Sequence, residues 1–424
     1  MKFLAIALAH DNERFIRGYP PKGANLLMTP NIEISRLANL FAQRDQLIYL
    51  DQRVDSINLD LQFDIGLIHA DFGQEKRAME IVLKLSDKGK RTILFGPLPT
   101  FWQNDLPDWV DSVIIGSITN AYPEIRDDLS QGLLKKHYSG GTKPVYVPQN
   151  RSVGEKNIFF YNRYQHLQAV MGCSCLPQLK PYCPQGLYYS DNLLKRDLIE
   201  VIGEVLSLPY KEISLLDEDV ARFPEYYQEF FTEVWNYKKH WKVQASRSLF
   251  DYPNLIRLMA KAGTKLIFLT EDWLPTMNPE IFTLNGKKFR SQQRQVKILH
   301  SEKMLVGARL SLIYCESSQF DFNHAFRIID RLDLDFLEIK TYRPAKPQGH
   351  SYRCDIEPIQ KNYYPMLPQT DPAWIKNRFY ALGHITHRIC KRPLTLGFYN
   401  TLFYLIPYSF AYRQNYLEGI AFPP

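Results

Sequence analysis

No stretch of this sequence approaches the ~20 consecutive apolar residues that a membrane-spanning helix needs. The opening MKFLAIALAHDNER has too short an apolar run for a signal peptide and lacks a small-residue cleavage site, so the chain is expected in the cytoplasm. Cysteine is scarce, six residues in 424, and in a reducing compartment closely spaced thiols are metal ligands or redox groups more often than disulfides. A basic tail is also lacking. The net charge of +7 is spread along the chain, which supports weak attraction to anionic ligands and gives no reason to expect a nucleic-acid partner. There is no internal repeat, and no glycine-rich dinucleotide fingerprint in the second half.

What is present reads as a globular protein. Hydrophobic residues make up 45% and charged residues 23%, and 424 residues correspond to two or three domains at about 100–200 residues each. Over the first 150 residues, apolar runs alternate with helical patterns. KFLAIALA, QLIYLD, FDIGLIHA, RTILFG and SVIIGS have the continuous apolar character of buried parallel strands, while IEISRLANLFAQ and QEKRAMEIVLKLSDKG place apolar residues at helical spacing. Such alternation predicts a doubly wound, Rossmann-like open sheet, with ligands beyond the carboxyl ends of its strands. Those ends carry His69-Ala70-Asp71 and Gly96-Pro97-Leu98-Pro99-Thr100.

A second alternation follows. It comprises a helix over NLLKRDLIEVIGEVL, strand KEISLLD, helix FPEYYQEFFTEVWNYKKH, strand WKVQAS, helix PNLIRLMAKAG and strand TKLIFLT. It continues with a helix around SQQRQVKILHSEKML, strand ARLSLIY, helix FNHAFRIIDRL and strand FLEIKTYRP. Repeated βα units of this kind predict a full or partial (β/α) barrel, whose site lies at the carboxyl ends of its strands. The expected organisation is an α/β domain over residues 1–140, a Gly/Pro/Ser-rich linker over 141–165, a barrel over 166–345 and a small aromatic-rich helical cap over 346–424. The Tyr and Phe residues of 396–416 fit core packing, a cap that keeps water from the site, or contact with an apolar substrate or membrane surface.

Three of the six cysteines crowd into MGCSCLPQLKPYC, residues 171–183. Three thiolates can hold three irons of a [4Fe–4S] cluster and leave the fourth iron open to a ligand. Zinc asks for a fourth protein ligand or a water, and no histidine or fourth cysteine lies nearby in sequence. Thiols without a metal are the third reading. Cys315, Cys354 and Cys390 stand singly and read as core or surface thiols.

The order of these parts resembles the cobalamin-dependent radical S-adenosylmethionine (SAM) enzymes, over roughly residues 18–345. Pro20-Pro21-Lys22-Gly23 resembles that family's PP-x-G entry, Phe95–Thr100 its GGPHPT loop, and VDSVIIG its VD-x-VV-x-G strand. SLLDEDVAR resembles the second barrel strand with its acidic end. WKVQASRSLFDYPNLIRLMAKAG is similar to the strand-then-helix segment ending in M-x-x-A-G, and MLVGARLSLIY to a later strand. Three motifs depart from the pattern. The cysteines read C-x-C-x7-C where the family has C-x3-C-x2-C, Gly116-Ser117-Ile118-Thr119 stands in place of GEGE, and there is no D-x-H-x-x-G, so no histidine ligand to cobalt is implied.

The resemblance implies cobalamin, SAM and a [4Fe–4S] cluster as cofactors. Cys173, Cys175 and Cys183 would ligate iron; Asp217, Glu218, Ser246 and Arg247 would contact SAM; and Gly96, Pro97, Pro99 and Thr100 would lie near the corrin or its nucleotide tail. Glu271 and Asp272 follow a strand end and can face substrate or solvent. The implied reaction is methylation of an unactivated carbon through a 5′-deoxyadenosyl radical, or cyclisation or rearrangement. Its substrate would be a small, natural-product-like molecule, and its electron donor a flavodoxin or ferredoxin. A non-catalytic sensor or partner subunit with the same folds, and a radical SAM enzyme without cobalamin, are the alternatives.

Overall fold

The computed structural model describes residues 1–9, 29–102, 107, 109–153, 164–172, 184–189, 192–270, 272–274, 286–314, 322–342, 364–366 and 377–417. Pro20–Gly23, Cys173, Cys175, Cys183, Glu271, Cys315 and Cys354 lie outside them. The chain divides into two compact units. The first comprises residues 1–162, 170–195 and 418–421, and the second 163–169, 196–417 and 422–424.

In the first unit, six parallel strands are β1 (Lys2–Ala7), β2 (Gln46–Asp51), β3 (Ile65–His69), β4 (Arg91–Phe95), β5 (Ser112–Ile115) and β6 (His137–Ser139). They are ordered β2-β1-β3-β4-β5-β6, so the sheet reverses direction between β1 and β3. Every residue of β3 is buried, the expected result for a strand covered by helices on both faces. Leu4, Ile6 and Ile68 pack with Ala78, Val82 and Leu85 of α2 (Glu75–Asp87) on one side. On the other, Phe3, Leu67 and Ile93 pack with Ile34 and Leu37 of α1 (Ile32–Leu37) and Ile118, Ala121 and Ile125 of α4 (Ile118–Ser130). Between them in sequence lies α3 (Pro97–Trp102). Residues expected as a linker run along α1, where Asn39 Nδ2 donates to Pro148 O at 2.7 Å and Arg36 lies over the Tyr146 ring.

The second unit carries six parallel strands that neighbour one another in chain order. They are β7 (Gln165–Leu167), β10 (Glu212–Leu215), β11 (His240–Ala245), β12 (Thr264–Leu269), β13 (Leu305–Tyr314) and β14 (Phe336–Tyr342), with β15 (Tyr364–Met366) added against β13. No pairing joins β14 back to β7 among the described residues. Helices α6 (Leu198–Ser207), α7 (Pro224–Val234), α8 (Pro253–Lys261), α9 (Lys287–Ser301) and α10 (Phe322–Arg331) alternate with the strands. Trp241 of β11 packs edge-on against Phe230 and Phe231 of α7, which leaves His240, Lys242 and Gln244 on the inner face. Gly307 sits on that face because the Phe268 ring needs its space: a Cβ there would lie 2.4 Å from the ring.

Residues 170–195 leave the barrel between β7 and α6 and belong to the first unit, as the antiparallel pair β8 (Val170–Gly172) and β9 (Leu193–Lys195) with α5 (Pro184–Tyr189). The helix expected over 192–206 is therefore shorter. Residues 193–195 are strand, and α6 begins only where the Asp197 carboxylate accepts from Ile199 N at 2.8 Å.

The C-terminal helices Leu382–Lys391, Pro393–Asn400 and Ile406–Leu417 close the amino ends of the barrel strands. The Tyr404 hydroxyl lies 2.7 Å from His240 Nδ1, at the start of β11, and Phe336, the first residue of β14, stacks on Tyr412. The aromatic segment thus sits at the foot of the strands, opposite the ends that carry Asp217 and Ser246, because its inner rings fill the space between the first residues of those strands. No helix among the described residues is long and apolar enough to cross a membrane.

Candidate active site at the strand ends

Each unit presents the carboxyl ends of its own strands as the place where its loops converge. In the first unit, β4 passes into α3 through Gly96, whose φ of +116° suits glycine and whose missing Cβ would stand 2.4 Å from Ala70 O. Pro97 and Pro99 are buried in the first turns of α3, where proline's fixed φ fits and its missing N–H costs little. The Thr100 hydroxyl donates to Gly96 O at 2.8 Å and accepts from Gly116 N at 3.0 Å, so it ties the end of β4 to the end of β5. The residues expected near a corrin therefore form the rigid frame of this edge, and the Thr100 hydroxyl is already engaged within it.

The sequence reading missed Glu33. It lies in the first turn of α1, beside the point where the sheet reverses direction, with its Oε2 3.8 Å from His69 Nε2. Burial raises its carboxyl to about 7, against a smaller opposing effect of the Tyr188 hydroxyl of α5. Burial lowers His69 to about 3, assisted by the Arg53 charge, so both groups are neutral over the interval between those values. Glu33 Oε2 and Tyr188 OH are both buried, and the hydroxyl acts on the carboxyl as its hydrogen-bond partner. Nothing in the sequence marks Glu33, since an acid in a helix's first turn ordinarily serves the helix dipole.

In the second unit, Asp217 follows β10 and is 2% exposed. Both of its carboxylate oxygens accept from Ala169 N at 3.1 Å, four residues before Cys173. It thus ties the end of β10 to the residue two positions beyond β7. Asp219 accepts from Ala221 N at 2.9 Å and Ser246 N at 2.8 Å, stitching the β10 and β11 loops together. Ser246 Oγ lies 2.7 Å from Ser248 Oγ, and Arg247 N donates to Asp272 Oδ2 at 3.0 Å while the Arg247 side chain is exposed. Glu218 is half-buried at the same mouth. Asp217, Glu218, Ser246, Arg247 and Asp272 thus all gather at one end of the sheet.

The wall below is polar. Arg309 donates to Gln244 Oε1 at 2.7 Å and lies 3.5 Å from Glu338, which accepts from the Tyr412 hydroxyl at 3.0 Å. Lys242 lies over the Phe268 ring, and burial lowers its pKa.

No family model matches the chain. Among curated proteins it is similar to bacteriochlorophyllide d C-12(1)-methyltransferase of Chlorobaculum tepidum, 21% identical over 332 residues that cover 74% of this chain and 72% of that protein. Among solved structures it is similar to the radical SAM methyltransferase TsrM from Kitasatospora setae, solved with tryptophan and a SAM analogue bound. The TM-score is 0.56, at 12% identity over 80% of this chain and 72% of TsrM. It is similar also to OxsB, a cobalamin-dependent SAM radical enzyme solved with aqua-cobalamin bound, with a TM-score of 0.55 at 12% identity over 80% of this chain and 53% of OxsB. The doubly wound sheet followed by a full or partial (β/α) barrel is thus the fold that this chain shares with cobalamin-dependent radical SAM enzymes.

Proposed function

We propose that the chain is a cobalamin-dependent radical SAM enzyme that methylates an unactivated carbon of a small-molecule substrate. The observation that carries this reading is positional: three cysteines follow in sequence the first strand of a barrel whose next strand is followed by Asp217, which accepts from Ala169 N. The resemblance in sequence and the shared fold support it.

The residues fit such cofactors. Three thiols supply a donor set for a [4Fe–4S] cluster with one iron left open, and Cys173, Cys175 and Cys183 are assigned to it. Ser246, Arg247 and Glu218 offer hydroxyl, guanidinium and carboxylate groups for the amino-acid end and ribose of SAM. Asp217 accepts from Ala169 N–H and so holds the loops after β7 and β10 together at this mouth. Gly96, Pro97, Pro99 and Thr100 hold the corrin-facing edge rigid. The buried Glu33 and Tyr188 fit the amide-rich periphery of a corrin, because a neutral acid and a phenol both donate to and accept from amides. Bound together, the cluster and SAM supply one-electron cleavage chemistry and cobalamin supplies methyl transfer. A flavodoxin or ferredoxin in the cytoplasm would provide the electron.

Anaerobic purification with iron, sulfide and cobalt quantified, followed by reduction with SAM and assay for 5′-deoxyadenosine, tests this directly. Iron, cobalt and 5′-deoxyadenosine together are expected. Iron without cobalt points to a radical SAM enzyme lacking cobalamin. Absence of iron after reconstitution points to a non-catalytic protein of the same fold, a reading that the C-x-C-x7-C spacing favours.

A further inference from the structure

We propose that the outer face of the C-terminal helices seats the second unit on an anionic lipid bilayer. Helix Pro393–Asn400 and the helical turns after it are apolar on two sides. Leu396, Tyr404, Tyr408 and Tyr412 point inward and are buried. Leu394 before the kink at Gly397, and Phe398 and Leu402 after it, are 94%, 81% and 57% exposed, and Phe403 and Phe410 further along are exposed as well. Packing of the fold accounts for the buried side chains only, and a run of large exposed apolar side chains marks a surface that meets a partner or lipid.

The charge around this face selects the occupant. Lys265 Nζ lies 6.0 Å from the centroid of the half-exposed Tyr399 ring, and Asn400 Nδ2 donates to the backbone O of the exposed Lys303 at 2.8 Å, so two lysine residues stand beside positions 399 and 400. Helix α9, which packs against Pro393–Asn400, exposes Arg294, Lys297 and Lys303 just beyond its end, with Ile298 46% exposed between them. A cavity of about 760 Å³ is lined by Lys297, Arg331, His384 and Lys391, the last of them three residues before Leu394. Its acids are already engaged, Asp330 with His384 at 3.1 Å and Asp333 with Lys391 and Arg392. That leaves Lys297 and Arg331 to receive an anionic headgroup. Exposed apolar side chains with lysines beside them, on helices too short and polar to span, are what an interfacial helix presents to acidic lipid.

Flotation of the purified full chain with vesicles of phosphatidylcholine alone, and of equimolar phosphatidylcholine and phosphatidylglycerol, tests the proposal. Binding to the acidic vesicles only is expected, weakening steeply with added salt. The double variant Leu394→Asp, Phe398→Asp should lower partitioning about tenfold or more, because two exposed apolar anchors are lost. Both positions are exposed, so its thermal unfolding should match the wild type. Lys297→Glu with Arg331→Glu should weaken binding as well. Failure of the wild type to float, or wild-type flotation of the double aspartate variant, overturns the proposal. So does a dimer seen by light scattering that the aspartate variant dissolves while vesicle binding is absent, since the face would then join two copies.

Discussion

Glu33 and His69 face each other as two groups that burial keeps neutral, and their shifts act on stability at opposite ends of the pH scale. The folded chain holds the Glu33 proton to about 7, whereas the unfolded chain releases it near 4.5, so this contribution is full at acid pH and declines as pH rises through 7. His69, held at about 3 against 6.5 unfolded, costs stability as pH falls through that interval. Glu33→Gln is therefore expected to gain about 2 kcal/mol relative to wild type between pH 5 and pH 8, read from urea unfolding at the two pH values. Asp335 is a second buried acid. Burial would raise it, but the Arg392 and His300 charges and its hydrogen bonds outweigh that and hold it at about 2. Asp335→Ala takes from Arg392, 1% exposed, the acid at its Nε and leaves it Asp333 alone, strips His300 of its carboxylate, and should cost roughly 3–5 kcal/mol in the same measurement.

At the scale of elements, the strand ends depend on a few contacts between loops. Thr100→Val keeps the shape of the side chain and removes the bridge from Gly96 O to Gly116 N, leaving a buried N–H without its acceptor. A loss of about 1–3 kcal/mol is expected, and cobalamin retention on gel filtration should fall with it. Gly263, the last residue of the M-x-x-A-G motif, has φ +97° and a missing Cβ that would stand 2.2 Å from Lys239 O. Gly263→Ala should lower the thermal midpoint by several degrees, by strain alone. That motif was legible in the sequence because its glycine answers a backbone need. The long strands were legible too, since each is a continuous apolar run. β6 and β7, three residues each, fall below any periodicity, and α4 went unread, with Pro123 inside it. The cysteine spacing and the acids after β10 were visible as candidates, while the tie between Asp217 and Ala169 N–H was not, because it joins positions 48 residues apart.

For the whole molecule, the aromatic tail is a structural plug with an apolar outer face. Ending the chain at residue 376 removes Tyr404, Tyr408 and Tyr412 from the feet of the strands and leaves Asp335 without Arg392. Such a chain is expected to be aggregated or unfolded by circular dichroism and gel filtration, whereas loss of a cap over the mouth alone would leave the fold intact. The sequence by itself determined the alternation of strands and helices, the two units and the three clustered thiols, because burial period and residue chemistry are local properties. Only the tertiary structure decided that the aromatic helices stand at the amino ends of the strands, and that Glu33 is held neutral beside His69. It likewise decided that Asp217 spends its carboxylate on a backbone N–H. Each of these depends on which distant residues come within a few ångströms, and that is set by packing of the complete chain.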